Sequence, residues 1–402
     1  MLPSRTFLYL CIAFISGVAF DLMAKATPFL LFVCLSGGLL LISVYWRKHV
    51  RIVVAGFCLL VFVSGAFRSS MVERPKDSLE YYKTHPQSSG GNIPFVSGAN
   101  FFRKKLSESI DRSLAPPQGS LLGAIMLGEQ ERLSKDLKGK LNVSGTRHIT
   151  SVSGTNVVIL GSALIGLGLV LGLYRGQAFY LALFGIILFI AAVGAPPSAL
   201  RAGIMGGIIL FAEKMGRLAQ GSRLILIAAV CMLLFNPLLL RFDIGFQLSF
   251  LATLGIGLLS PWLREKLRFI PKFFEMRNTV AMTIPAILFT APILASNFGQ
   301  ISLVSLFSNI LIVPVIPPLL GFGFLAALLG TLFPILGQIA FAPVWLIGTY
   351  IYKVIDISAR VPFATVRVES FPRYLVFGSL LLFFAGMAYV KRRGNMRAGG
   401  KE

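Results

Sequence analysis

The sequence predicts an all-α, polytopic membrane protein with about 12 spans, at least one of them broken or re-entrant. Composition is the first reason. Of 402 residues, 55% are hydrophobic and only 13% are charged, where soluble domains run at about 25% charged, and the mean hydropathy is +0.79. The second is the length of the apolar runs. They are long and continuous, whereas an outer-membrane barrel alternates apolar and polar residues in segments of about ten. The third is the distribution of charge. Of the net charge of +22, +12 falls in Arg47–Arg51, Glu213–Arg223, Arg264–Arg277 and Lys391–Glu402. These short basic stretches flank apolar runs, and the positive-inside bias accounts for them without a nucleic acid.

Phe7–Ala24, Pro28–Trp46 and Ile52–Phe67 read as three spans, an N-terminal region over 1–67. Ala24-Lys25-Ala26 also resembles a signal-peptide cleavage site, although Arg5 is the only basic residue of a thin n-region. The turn at Arg47–Arg51 belongs in the cytoplasm, so Arg68 to Arg147 lies outside. That segment holds 13 basic and 8 acidic residues, and a loop so long escapes the positive-inside bias. Residues 68–100 form a turn-rich insert with a linker at Pro86–Asn92. Residues 101–147 are amphipathic: Phe101, Phe102, Leu106, Ile110 and Leu114 recur at helical spacing, opposite Arg103, Lys104, Glu108 and Asp111. Such helices lie on the membrane surface or pack on the bundle as an outer vestibule.

From residue 148 to 390 the chain is almost continuously apolar, followed by a basic cytoplasmic tail over 391–402. This half opens unusually. Arg147 and His148 lead into Thr150, Ser151, Ser153, Gly154, Thr155 and Asn156 before plain hydrocarbon begins. A helix that merely anchors a protein does not start this way, because each polar group needs a partner or water; a helix lining an aqueous path does. The span ends near Tyr174, and Gln177–Ala192 is the next. Arg201 then stands inside an apolar helix. Facing lipid at mid-depth would cost on the order of 3 kcal/mol, so it faces the bundle or a wet cavity, or else snorkels to the outer interface. Leu224–Leu240 is a span, with Arg241 and Asp243 a candidate local ion pair at its outer end. In the following helix Gln247 and Ser249 are polar and want partners, as interhelical glue or as pore lining. After Thr279–Ala295 come Asn297 and Asn309, and then Pro314, Pro317 and Pro318 interrupt the apolar run. Broken helices at membrane depth are tolerated only against protein or water. Both termini belong inside, so the number of spans is even. Thirteen apolar runs are present; one after Ser302 does not cross, either the Pro-rich stretch around Val315–Leu319 or the run Ile339–Ile357.

Four blocks in this half resemble the ComEC-type competence proteins, inner-membrane DNA channels of natural transformation. His148, Val152, Ser153, Gly154 and Val157 match the signature H-L-L-A-V-S-G-L-H-V, with Ser151 at its alanine and Asn156 at its second histidine. Pro197, Ser198, Arg201, Ala202 and Met205 match P-S-x-x-R-A-x-x-M. Gly245–Ile256 matches G-F-Q-L-S-F-x-A-x-x-G-I, with Asn236 at the preceding aspartate. Asn297–Pro314 matches F-G-x-x-S-L-x-S-P-x-x-N-L-L-x-V-P, with Leu306 at a proline. Met126–Gln130 is similar to a Leu-Leu-Gly-Asp/Glu-Arg helix leading into the bundle.

The resemblance implies a channel in the bacterial cytoplasmic membrane that carries single-stranded DNA inward. The polar residues then become candidates for the DNA path: Arg147, His148, Ser151, Ser153, Gly154, Asn156, Arg201, Gln247, Ser249, Asn297 and Asn309. It implies single-stranded DNA and the lipid bilayer as partners, with other competence proteins (a DNA receptor, a cytoplasmic motor or single-strand-binding proteins) and a separate nuclease. The family's extracellular OB-like domain and C-terminal metallo-β-lactamase-like domain find no counterpart, and no H-x-H-x-D-H occurs. No cofactor or metal spacing appears; Cys11, Cys34, Cys58 and Cys231 all sit inside apolar runs. Two other classes remain open, a small-molecule or lipid transporter on the same core and a membrane enzyme using His148 as base. A carboxylate near the signature would favour the enzyme, and none is there.

Overall fold

The computed structural model describes residues 3–46, 49–75, 80–81, 94–150, 154–193, 197–214, 221–268 and 276–367. Helices dominate them. The first three are α1 (Pro3–Ala24), α2 (Pro28–Tyr45) and α3 (Val50–Ser70). Next come α4 (Pro94–Ser113), α5 (Gln118–Leu127), α6 (Lys135–Val143), α7 (Gly154–Val170), α8 (Arg175–Ala192), α9 (Pro197–Lys214), α10 (Gly221–Phe235) and the short α11 (Leu239–Phe242). The remainder is α12 (Ile244–Lys266), α13 (Met276–Phe298), α14 (Ser305–Ile312), α15 (Ile316–Leu332), α16 (Pro334–Ala340) and α17 (Ala342–Arg360). Two short strands, β1 (Gln300–Ser302) and β2 (Thr365–Arg367), pair antiparallel with Ile301 opposite Val366.

Seven of the described helical stretches are long and apolar enough to cross a membrane: α1, α2, α3, α8, α12, α13 and the path Ser305–Leu332. An eighth is the pair α16–α17, bent by 44°. The prolines of the apolar run distribute differently from the sequence expectation. Pro314 sits in a 3-10 turn, Val313–Val315, and Pro317 and Pro318 fall in the first turn of α15, where a missing N–H costs nothing. α14 and α15 therefore continue as one path, and the sharp bend lies further on, at Phe341.

Among the described residues, three apolar cores hold the helices together. One joins α1 to α10, α11 and α12 through Phe14, Val18, Leu22, Leu233, Leu238 and Phe246. α3 packs on α1 so closely that a Cβ on Gly17 would lie 2.0 Å from the Phe62 carbonyl oxygen, the small-residue contact expected between membrane helices. At this end arginines cover carbonyls that the helices leave unpaired. Arg68 donates from Nε to Leu234 and from Nη2 to Phe235, both at 2.8 Å. Arg74 donates to the buried Asp21 at 2.6 Å. Arg241 donates to the Leu22 carbonyl, and Asp243 turns the other way to cap α12. The local pair expected of Arg241 and Asp243 is thus not formed, because each serves a helix end.

The second core joins α7, α8 and α9 through Val157, Ile186, Phe189 and Ala202, with Phe324 of α15 against it. Gly168 meets Ala178 of α8, whereas Gly172, at φ +80°, forms the turn after α7, and a Cβ there would meet open space. The third core is the largest. It joins α4, α5 and α6 (Leu106, Ile110, Leu122, Met126, Leu141) to α14–α17 (Ile312, Leu320, Phe341, Ile351, Ile355). Of the amphipathic stripe, Leu106, Ile110 and Leu114 turn into the bundle, whereas Phe101 and Phe102 are exposed. α5 is buried along nearly its whole length, and Gln118 at its start donates to Thr349 of α17.

Candidate functional site

The motif residues fold into two neighbouring groups. The first is built on α9 and α12. Arg201, half-buried on α9, holds its guanidinium carbon 5.8 Å from the centroid of the Phe250 ring on α12. Its Nη1 is buried with no hydrogen-bond partner, and Asp243 is the opposing charge in its surroundings. Asp243 is itself buried and committed to α12, accepting from the Phe246 N–H at 2.5 Å. A cation thus faces the bundle with part of its donor set unused. Gln247 donates to the carbonyls of Leu240 and Arg241 at 3.0 and 2.9 Å, closing α11 onto α12. Ser249 is half-buried on α12, and its carbonyl accepts from the Thr253 hydroxyl at 2.7 Å. Asn236 fixes the preceding turn, accepting from the Leu238 N–H and donating to the Tyr81 hydroxyl.

The second group is built where the chain enters α7. Gly145 has φ +69°, and a Cβ there would stand 2.5 Å from the Ser305 Cβ. The turn docks directly on the start of α14, and Ser302 secures it by donating to the Val143 carbonyl at 2.6 Å. One turn along α14, Asn309 is 5% exposed; its Nδ2 reaches Ser305 Oγ at 3.5 Å, and its Oδ1 has no partner. Asn156 donates to the Ile125 carbonyl at 2.7 Å, and Gln130 donates to the Thr150 carbonyl at 3.3 Å, so α5 and the 3-10 turn after it brace both ends of the signature.

Arg147 and His148 lie in the 3-10 turn Arg147–Thr150 ahead of α7 and are exposed. Arg147 donates to Asn142 at 3.3 Å. His148 keeps an open face, yet enough protein surrounds the imidazole to push its pKa below the ordinary histidine value, against the opposing pull of a hydrogen bond with the Gly145 backbone. Asn297 is exposed at the end of α13 and donates back to the Ile293 carbonyl at 2.8 Å. Ser151 and Ser153 lie outside the described residues; Gly154 begins α7, and its surroundings are not described.

The competence protein family matches residues 125–393, more than half of the chain. The chain belongs to that family. It is also 30% identical over 207 residues to ComE operon protein 3 of Bacillus subtilis (strain 168), a match covering 51% of this chain and 26% of the relative. The chain thus aligns with about a quarter of that relative's length. No solved structure matches it.

Two buried ionic features escaped the sequence reading, one within the competence-family match and one ahead of it. Glu129, in the Met126–Gln130 block, is buried and accepts from Arg132 at 2.7 Å and from Ser107 at 3.0 Å, with Arg103 at 3.5 Å. Arg132 also donates to Ser107 at 2.6 Å and to Asp111. The signal was present as Glu129 and Arg132 three apart and Ser107 and Asp111 four apart, but each half is an ordinary solvated pattern until α4 and α5 are brought together. Asp21, the only acid in the first apolar run, was the other signal, because a carboxylate within a span requires a partner.

Proposed function

We propose that this chain acts in DNA uptake as the channel that carries single-stranded DNA across the cytoplasmic membrane, and that its activity is transport rather than bond-making chemistry. Family membership supports a competence role. The observation that carries the channel reading is Arg201, a cation turned into the bundle with a buried, unused donor beside an aromatic ring. Such a group suits a passing phosphate, because it attracts the anion without a built cage that would retain it. His148 and Arg147 lie toward the opening of the same path. The seven long stretches, the bent pair α16–α17, the shorter α7, α9 and α10 and the apolar run ending at Val390 give about twelve spans. α14, eight residues long, spans about 12 Å and is the run that does not cross alone. DNA and the lipid bilayer are the direct partners; a DNA receptor, a cytoplasmic motor, single-strand-binding proteins and a separate nuclease act around the channel.

The test is uptake of fluorescent DNA by host cells with and without the gene, scoring label on either side of the cytoplasmic membrane. Label held outside the membrane only when the gene is missing supports the reading. Equal cytoplasmic label in both strains removes it and leaves a small-solute or lipid transporter.

A further inference from the structure

We propose that α6, the turn Arg147–Thr150 and the C-terminal end of α17 form a receiving surface for single-stranded DNA, on which the ring of Phe363 is a base-stacking platform. The identity of the strand rests on the translocation reading above; the surface shares only the Arg147–Thr150 turn with it and is otherwise argued from other residues. Phe363 is 89% exposed and has φ +60°, a backbone region that residues other than Gly, Asn and Asp rarely enter. The turn is held on both sides. The Ala364 N–H donates to the Val361 carbonyl at 3.2 Å, and the Ala364 carbonyl accepts from the Leu303 N–H at 2.8 Å. Ala364 is buried, and β2 follows at once, paired to β1. Folding asks for a small residue at the strained position. A large aromatic ring pushed outward there adds nothing to the core and calls for something outside the fold.

The surroundings are cationic. α6 brings Lys135, Lys138 and Lys140, the following turn brings Arg147, and α17 brings Lys353 and Arg360. Asp136 and Asp356 oppose them: Lys140 bridges the two at 2.8 and 2.9 Å and so ties α6 to α17, while Arg360 holds Asp356 at 2.7 Å. Lys135, Lys138 and Lys353 carry no ion pair among the described residues. Ser302 joins β1 to the end of α6, and β1 joins β2, so Phe363 belongs to the same end of the molecule as the signature turn. Unpaired cations for phosphates beside an exposed ring for bases are what sequence-independent recognition of a single strand requires.

The test uses the full-length protein in nanodiscs of zwitterionic lipid and a fluorescent oligothymidylate, with binding followed by anisotropy across a salt series. Phe363→Ala is expected to weaken binding about tenfold, and Phe363→Trp to retain it. Phe363→Gly relieves the backbone, so weaker binding together with an unchanged or raised unfolding temperature separates lost stacking from misfolding. Replacing Lys135, Lys138 and Lys353 together by Gln should reduce the slope of log K against log salt by about 2, at roughly 0.7 for each phosphate no longer neutralised. Unchanged affinity in Phe363→Ala, with a changed depth in the bilayer by lipid-borne quenchers, would make the ring an interfacial anchor and overturn the proposal. An unchanged salt slope would overturn it as well. Binding that depends on Phe363, in a protein whose loss leaves DNA uptake intact, would keep this surface and remove the channel reading; silent surface variants in a protein essential for uptake would do the reverse.

Discussion

Arg201 puts a full charge inside an apolar helix, and its neighbourhood offers a ring and a carboxylate already engaged elsewhere. Arg201→Ala should therefore remove DNA uptake while the protein reaches the membrane in normal amount; normal transport in that variant would exclude the residue from the path. Glu129 is the opposite kind of charge, fully engaged and holding α5 to α4. Glu129→Ala removes the buried acceptor that Arg132, Arg103 and Ser107 share, while Arg132 keeps Asp111, and should cost about 1–3 kcal/mol, read as a lower unfolding midpoint in detergent. Glu129→Gln, which keeps a hydrogen-bonding oxygen, should cost less. Gly145 is constrained twice, by its positive φ and by Ser305. Gly145→Ala should lower the folded yield, and adding Ser305→Gly should restore part of it by removing the contact while the backbone strain remains. If the second change restores nothing, the turn does not dock on α14. At this scale the sequence exposed Arg201, whose cost in an apolar helix is independent of its neighbours. It could not expose the role of Asn156 or Glu129, because their partners Ile125, Ser107 and Arg103 come from other helices.

Among the elements, α5 behaves least as its sequence suggests. Its ten residues, all but Gln118 and Ser120 non-polar, are too few to cross a membrane and too apolar for a surface, and the fold places them between α4 and α15–α17. The helical period of Phe101 to Leu114 announced an apolar stripe, but a stripe does not say what covers it; membrane surface and bundle give the same spacing. The arrangement of α14 and α17 has a direct check, because the hydroxyls of Ser308 and Ser358 are 3.0 Å apart. Ser308→Cys with Ser358→Cys, in a background without the native cysteines, should form a disulfide on mild oxidation and change mobility on non-reducing gels. Absence of the cross-link would mean that these helices do not meet as described. The proline run shows the same limit. Its residues promised a break near Pro314–Pro318, yet prolines in the first turn of a helix do not bend it, and the 44° bend falls between α16 and α17.

For the whole molecule, the C-terminal ends of α1, α3 and α10, the start of α12 and Arg201 near the start of α9 gather at one end. That is the arrangement required if 1–67 contributes three spans, because α1 and α3 then run in the same direction. Cysteines replacing Phe363 and Arg268 should accordingly label from opposite sides of the membrane with an impermeant thiol reagent. Labelling from the same side would require an even number of crossings from α13 to α17, where α13, the α14–α15 path and the α16–α17 pair make three. The sequence by itself determined that the chain is helical, where most of its apolar helices run, and that it carries the competence signatures, because hydropathy, helical period and motif spacing are properties of neighbouring residues. Tertiary structure alone decided that the signature turn docks on Ser302 and Ser305, that Arg201 looks onto Phe250 and Asp243, and that α4–α6 share a core with α14–α17. Those contacts join residues tens to hundreds of positions apart, and among helices that are apolar on every side they are fixed by the shape and backbone approach of the facing surfaces, which no local pattern encodes.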